Sequence, residues 1–242
     1  MLPVGKGSSG DAIALRWWID GFSPKKQKVM IIDGGTKESG QALIEHIDKY
    51  YKTNRVDYVI NTHPDKDHAS GLTEVLKEKT LNVGELWIHR PWEHVSEIVA
   101  HVKNCDDLNM DGRTTEDCMQ ERFAHGYYKY AKKLEEHAKD RGIAIKEPYQ
   151  GKQIGMFQVL SPSKDWYLYD LIPNSDKTWE VSSKGKEDKS VGELSAQKLK
   201  KEVACDVDES LYDETLQEDG MTSRENESSV VLYANLGLET AR

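Results

Sequence analysis

Residues 62–68, THPDKDH, place two histidines and two aspartates, all candidate metal ligands, within one short turn. They follow an apolar run, 56–60 (VDYVI), which has the composition of a buried strand. A strand that ends in such a turn brings imidazoles and carboxylates to the edge of a sheet, where water and substrate have access. A catalytic metal requires fixed ligands and an open coordination position. The stretch therefore predicts a metal site at a sheet edge, with His63, Asp65, Asp67 and His68 as its ligands.

The types of ligand in this turn restrict the metal. Imidazole and carboxylate together suit zinc, manganese or iron, and the lack of thiolate favours the harder ions. The spacing of the four residues allows one or two divalent ions, which we expect to be zinc or manganese. A surface turn in which His63 or Asp67 only caps the next helix is the alternative. The strand before the turn and 69–72 (ASGL) after it favour the metal site.

The first third of the chain alternates between strand and helix patterns. Apolar runs predict strands at 12–19, 29–32, 56–60 and 85–89, the first two forming a hairpin, and helical spacing appears at 38–51 and after Ala69. Thr36 is the predicted cap of the first helix. This alternation is typical of an α/β layered sheet.

The rest of the chain is less regular. Apolar residues recur every three or four positions over 116–138 and predict one long amphipathic helix. Further strands are predicted at 153–160 and 229–233. Residues 174–227 are rich in charged residues and serine, which predicts a polar, flexible insertion with one helix at 191–203.

The composition limits the functional class. A formal net charge of −9 argues against a nucleic-acid-binding surface over the whole molecule, although a local basic cleft or a metal still accommodates phosphate. The three cysteines suggest neither a disulfide framework nor a zinc knuckle. The sequence shows neither a signal-peptide pattern nor an apolar stretch that spans a bilayer. We therefore expect a cytoplasmic protein without a membrane partner.

At this point the sequence resembles a known family. Residues 62–72 (THPDKDHASGL) look like the signature of the metallo-β-lactamase superfamily, whose usual form is His-x-His-x-Asp-His. Three further stretches agree in order, namely 10–13 (GDAI), 32–35 (IDGG) and 226–232 (NESSVVL). Asp65 stands in place of the second histidine, and this variant is similar to the hydrolase-like domain of bacterial DNA-uptake competence proteins. The resemblance implies a single αββα sandwich over 1–242, with an inserted helical segment at 105–141.

The resemblance also implies roles for individual residues. His63 and Asp65 would bind one metal ion, and Asp67 and His68 a second. Asp67 would also act catalytically by orienting the attacking water. Asp33 would support the ligand turn through hydrogen bonds.

Six histidines and one arginine outside the ligand turn raise separate questions of role. His89, Arg90 and His94 follow the end of the next predicted strand, so they are candidates for contact with an anionic substrate or for a further ligand. The alternative is that His89 and His94 are ordinary loop residues. His46, His101, His125 and His137 fall on predicted helices, where surface roles are favoured.

One departure from the family pattern concerns the second half of the chain. Family members take a bridging aspartate from a Gly-Asp turn and a histidine from a later strand end, and neither occurs between His137 and Arg242. We expect either an amino-terminal fragment of a longer hydrolase or a shortened chain with an impaired site. In both cases the sandwich would be incomplete on its C-terminal side, with an exposed sheet edge that allows oligomers to form.

Three functions remain open from the sequence. The first is a metal-dependent hydrolase of the phosphodiesterase or nuclease type, acting on a small-molecule or nucleic-acid phosphodiester. The second is a non-catalytic module that binds a partner, through the 116–138 helix for example. The third is hydrolysis of another bond, such as a lactam or a thioester.

Overall fold

The larger of two sheets places the ends of four parallel strands at one edge. The computed structural model describes residues 10–19, 26–102, 114–175 and 224–235. This sheet has the strand order β1-β2-β3-β4-β5. Its strands are Ala12–Trp18 (β1), Gln27–Gly34 (β2), Arg55–Ile60 (β3), Asn82–Trp87 (β4) and Ala144–Lys146 (β5). The predicted antiparallel pairing of β1 with β2 is confirmed, and β2 to β5 run parallel. Their carboxyl ends therefore share one edge, where ligands of α/β proteins usually bind.

Helices cover one face of this sheet. They are Lys37–His46 (α1), Lys66–Lys77 (α2), Val95–Val99 (α3), Thr115–His125 (α4) and Lys129–Asp140 (α5). The apolar side chains of α1 and α2, such as Leu43 and Leu72, are buried in one cluster with Val59 and Leu86 of the strands. Thr36 caps α1 as predicted, because its hydroxyl accepts a hydrogen bond from Ser39 N at 3.3 Å.

A smaller antiparallel sheet covers the other face. It consists of Gln153–Ile154 (β6), Phe157–Ser161 (β7) and Val231–Tyr233 (β8). The two sheets enclose a second apolar cluster with Met30, Ile60 and Trp87 on one side and Ile154, Val159 and Val230 on the other. The layers are thus helix, sheet and sheet, which confirms the predicted mixed α/β sandwich. On the outer side of the small sheet, Leu160, Val231 and Tyr233 are about half exposed.

Three predicted elements have different limits from those observed. The prediction of a single helix over 116–138 was wrong, because α4 ends before Gly126, whose ψ is −144°, and α5 begins at Lys129. Glycine is a weak helix former and is common at such ends. The predicted strand 153–160 is two strands, because Gly155 at φ +60 makes the turn between them. The helix predicted over 38–51 continues beyond His46 only as a wider π-helical turn, Ile47–Tyr51.

Some predictions lie partly or wholly outside the described residues. The helix at 191–203 and most of the polar insertion at 174–227 fall in the undescribed range 176–223. The first part of the predicted helical insertion at 105–141 falls in the undescribed range 103–113. Both insertions therefore stay predictions. No helix in the described part of the chain is long and apolar enough to cross a membrane.

Candidate metal centre

Three elements bring the centre together at the shared sheet edge. β2 ends beside Asp33, β3 runs into the turn that carries His63, and α2 begins one residue before Asp67 and carries His68. Pairing of Ile32 with Ile60 puts the ends of β2 and β3 side by side. As a result, one ligand atom from each of Asp33, His63 and His68 lies within 4.8 Å of the others, and all three residues are buried.

Both carboxylate oxygens of Asp33 are engaged. Oδ1 accepts from Asn61 Nδ2 at 3.2 Å and from Thr62 N at 2.8 Å. Oδ2 accepts from Thr62 Oγ1 at 2.5 Å and lies 2.9 Å from His68 Nδ1. Asp33 also has φ +53, a left-handed backbone conformation that aspartate tolerates better than most residues. With these bonds to each oxygen, the carboxylate is arranged to hold neighbouring groups in place.

The Thr62 hydroxyl determines the tautomer of His63. The hydroxyl donates its single proton to Asp33 Oδ2. Its oxygen therefore acts as the acceptor in the second contact, with His63 Nδ1 at 2.9 Å. Nδ1 of His63 therefore carries a proton, and Nε2 of the neutral ring has a free lone pair. His68 likewise donates its Nδ1 proton to Asp33, so that Nε2 is the ring nitrogen available to a ligand once its own proton is displaced.

The Nε2 atoms of His63 and His68 are the main unsatisfied polar groups of the centre. Both are buried and have no hydrogen-bond partner among the described residues, and the ring centroids are 4.0 Å apart. Buried polar atoms nearly always have partners, so two such nitrogens in contacting rings require a reason. Divalent cations bound at these nitrogens would supply one, because neutral imidazole is a good ligand in zinc and manganese sites.

Asp65 adds a carboxylate at the position that such an ion needs. Its Oδ2 lies 3.5 Å from His63 Nε2. A tetrahedral ion bound to both atoms at ordinary zinc distances would hold them about 3.4 Å apart. Asp65 occupies the cap position of α2, yet its side chain makes no capping hydrogen bond. His63 and Asp65 are therefore spaced to hold one metal ion, and the buried Nε2 of His68 is available to a metal ion beside them.

The negative charge around His68 also favours a metal cation at this centre. Burial lowers the pKa of its ring, but the hydrogen bond and charge of Asp33 and the charges of Asp67 and Asp65 outweigh it and raise the pKa to about 9. Surroundings that stabilise an imidazolium also stabilise a metal cation, and a metal at Nε2 displaces the proton there.

Asp67 lies in the first turn of α2 and is partly buried. Gly10, from the GDAI stretch, packs against its backbone: a side chain on Gly10 would overlap the Asp67 carbonyl oxygen and approach its Cβ to 2.8 Å. The strand-entry segment and the ligand turn are thus in direct contact. The assignment of one ion to His63 and Asp65, and of a second ion to Asp67 and His68, stays a prediction.

Comparison with known proteins bears on this same region. Residues 17–96 match the family model of the metallo-beta-lactamase superfamily. The matched segment contains β2 to β4, the ligand turn and α2, hence every residue of the centre described above except Gly10. No curated protein matches the chain.

His89 lies beside the sheet edge but faces the protein interior. It is 6% exposed; its ring stacks on that of Tyr167, with centroids 4.5 Å apart, and contacts that of Tyr149 at 4.9 Å in a tilted arrangement. Burial lowers its pKa to about 3, against a smaller opposite effect of a hydrogen bond with the Pro148 backbone. The ring is therefore neutral, and its predicted role in substrate binding or metal ligation stays a prediction.

Arg90 and His94 already have acidic partners. Arg90 lies 3.4 Å from the Glu135 carboxylate and 4.0 Å from that of Glu147. Nε2 of His94 lies 3.0 Å from Glu147, and its Nδ1 lies 3.1 Å from Glu97. A substrate anion would have to compete with these carboxylates, and the predicted contact stays a prediction.

A cavity of about 390 Å³ opens near His94. It lies where β4 and β5 end, the same sheet edge that carries the candidate metal centre. Its lining combines aromatic and basic side chains with one carboxylate: Trp87, His94, Lys146, Glu147, Tyr149, Lys152 and Lys164.

Three supporting residues were not singled out from the sequence. Asn61 and Thr62 stand next to the ligands, and their signal was their position between a buried strand and His63. The third is Ser229, whose Oγ lies 3.2 Å from His63 Nδ1 although the two residues are 166 positions apart. No local pattern indicates that contact.

Proposed function

We propose that this protein is a metal-dependent hydrolase that acts on phosphodiesters. The observation that carries the proposal is the pair of buried, unpartnered Nε2 atoms on His63 and His68, with Asp65 3.5 Å from the first of them. The superfamily match over 17–96 supports a metal-dependent hydrolase, and the resemblance to competence-protein domains supports a phosphodiester substrate.

The residues of the centre have complementary roles in this proposal. His63 and Asp65 would hold one zinc or manganese ion, and Asp67 and His68 would hold a second. A bound divalent ion supplies a water whose pKa is lowered to about 7. Asp67 would orient the attacking water, and Asp33 fixes His68 directly and His63 through Thr62. The negative charge of Asp65 would strengthen metal binding and, compared with a neutral imidazole at that position, would weaken the pull of the metal on its water.

The basic cavity at the sheet edge supports an anionic substrate. Lys146 is paired with Glu85 at 2.7 Å and Lys164 with Glu97 at 3.3 Å, and these side chains are partly exposed. Exposed ion pairs contribute about 0–1 kcal/mol, so a phosphate group can displace them. No ion pair to Lys152 is formed by the described residues. In a chain of net charge −9, this concentration of lysines favours an anion at this place.

The test is turnover of three substrates under identical metal loading. The substrates are bis-p-nitrophenyl phosphate, single-stranded DNA and a chromogenic lactam. We expect phosphodiester turnover by the wild type and a loss of at least about 100-fold in Asp67→Ala. Asp140→Asn, an exposed change at the end of α5, serves as the control and should retain full activity. Turnover of the lactam alone would discard the phosphodiester, and an unimpaired Asp67→Ala would contradict the mechanism.

A binding module without catalysis is the second candidate. The half-exposed Leu160, Val231 and Tyr233 on the outer side of the small sheet favour it, since contiguous apolar surface often marks an interaction site. Such a module would bind metal as a structural element and turn over none of the three substrates. An oligomer formed through this sheet would show as a concentration-dependent mass in analytical ultracentrifugation.

A further inference from the structure

We propose that Ser229 is a positioning residue for the metal centre. Its hydroxyl, together with that of Thr62, holds the His63 ring with Nε2 directed to the metal, so metal binding is coupled to docking of the C-terminal segment 228–233. The inference rests on the proposed metal site and adds a residue and an element that neither the ligand turn nor the superfamily match at 17–96 includes.

Two adjacent residues of the segment bind two adjacent residues of the ligand turn. Ser229 Oγ lies 3.2 Å from His63 Nδ1, and Val230 N donates to the Thr62 carbonyl oxygen at 3.2 Å. Val230 is also buried between the sheets, in the cluster that includes Ile60. The segment is therefore anchored by an apolar side chain directly beside the polar contact.

The Ser229 contact acts on ring orientation as well as on the tautomer. Because the Thr62 proton is donated to Asp33, the Nδ1 proton of His63 points at the two hydroxyl oxygens of Thr62 and Ser229. Turning the ring over about its Cβ–Cγ bond would bring a carbon to these oxygens and move Nε2 away from its present place. Two acceptors on one side thus favour the orientation that leaves Nε2 available for a ligand.

The same segment continues into β8, so metal binding is also coupled to the pairing of β8 with the small sheet. Leu232 pairs with Val159 and Tyr233 with Gln158 of β7. If docking of this segment favours metal binding, then metal binding must favour docking by the same factor, because coupling between two binding events is reciprocal.

The first experiment measures zinc affinity of the full chain by competition with a chromophoric chelator. Ser229→Ala should weaken zinc binding about tenfold, the lower range for loss of a group that orients a ligand. Ser229→Thr keeps the hydroxyl and should restore most of the affinity. Ser163→Ala is the matched control: it also removes a serine hydrogen bond, the 3.3 Å cap to Trp166 N, away from the ligand turn. We expect it to bind zinc as the wild type does.

The second experiment reads the ring and the segment without any activity. Nitrogen-15 NMR of the metal-free wild type should show His63 protonated at Nδ1, and Ser229→Ala should add the other tautomer. Amide hydrogen exchange should show that zinc slows exchange at Val230 and in β8. In Ser229→Ala the factor by which zinc slows exchange should be reduced as much as the zinc affinity is reduced.

The outcomes separate this inference from the function on which it rests. Zinc affinity and Val230 exchange unchanged in Ser229→Ala, with zinc bound normally by the wild type, would overturn the role of Ser229 and leave the metal centre in place. An equal loss in Ser163→Ala, or His63 protonated at Nε2 in the metal-free wild type, would overturn it as well. Absence of zinc binding by the wild type would overturn the centre itself.

Discussion

Nδ1 of His68 lies 2.9 Å from Asp33 Oδ2, a buried contact between residues 35 positions apart. It joins the first turn of α2 to the end of β2 and fixes the ring that would present Nε2 to a metal. Through Thr62, the same carboxylate also fixes His63. One carboxylate therefore supports both imidazoles of the candidate centre.

Asp33→Asn should weaken zinc binding while leaving the fold in place. The amide keeps the shape of the side chain but loses the charge. Its N–H group also faces at least one of the groups that donate a hydrogen bond to the carboxylate in the wild type. Groups that support metal ligands typically contribute 10–100-fold in affinity, and we expect a loss of about that size. Isothermal titration with zinc measures it, with Asp140→Asn as the control for loss of an exposed charge. Equal affinity in Asp33→Asn and the wild type would refute the supporting role.

Gly71→Ala should reduce both stability and zinc affinity. A methyl group at Gly71 would overlap the Gly34 carbonyl oxygen and lie 2.5 Å from the Thr36 carbonyl oxygen. These are backbone atoms, so α2 must shift, and His68 shifts with it. Overpacking of this kind costs about 1–3 kcal/mol of unfolding free energy. Urea unfolding measures the cost, and Lys77→Ala at the exposed end of α2 should stay within about 0.5 kcal/mol of the wild type. Wild-type stability of Gly71→Ala would show that the close approach of α2 to β2 is not required.

His89 should make the protein less stable in acid. Its pKa is about 3 in the folded state and about 6.5 in an unfolded chain. The unfolded state therefore binds the proton first, and the contribution of His89 is complete above about pH 6.5 and declines as the pH falls toward 3. Between pH 7.5 and 5 the loss is about 2 kcal/mol.

The measurement is the free energy of unfolding at these two pH values, in the wild type and in His89→Phe. Phenylalanine keeps an aromatic ring against Tyr149 and Tyr167 and cannot titrate, so the variant should lose less stability on acidification. The difference between the two proteins isolates His89 from His68, whose raised pKa acts in the opposite direction. Equal acid sensitivity in both proteins would contradict the neutral state of His89.

The sequence predicted those parts of the fold that local patterns determine. The strands before Asp33 and His63, the cap at Thr36 and the layered sheet all follow from short-range spacing of apolar and polar residues. The break at Gly126 was missed because the apolar period continues on both sides of it, and only the backbone angle at one glycine interrupts the helix.

The candidate site was predictable to a similar degree. The ligand turn is one continuous stretch, so its chemistry can be seen in the sequence, and Asp33 was implied by the family resemblance. The proton arrangement at Thr62 and the approach of Ser229 depend on how β2, β3 and the C-terminal segment meet in space. The spacing of residues along the sequence carries no information on these tertiary contacts. The neutral, stacked state of His89 likewise results from burial by Tyr149 and Tyr167, which come much later in the chain.

The most direct test of the metal centre is the amount of divalent metal bound per chain. The wild type, loaded with zinc or manganese and then dialysed, should retain one or two ions by elemental analysis, whereas His63→Ala and His68→Ala should each fall below about half an equivalent of the metal they ligate. His125→Ala, a change on α4 outside the centre, should retain as much metal as the wild type. Retention of less than about half an equivalent by the wild type would contradict the account, and so would wild-type retention by either His63→Ala or His68→Ala.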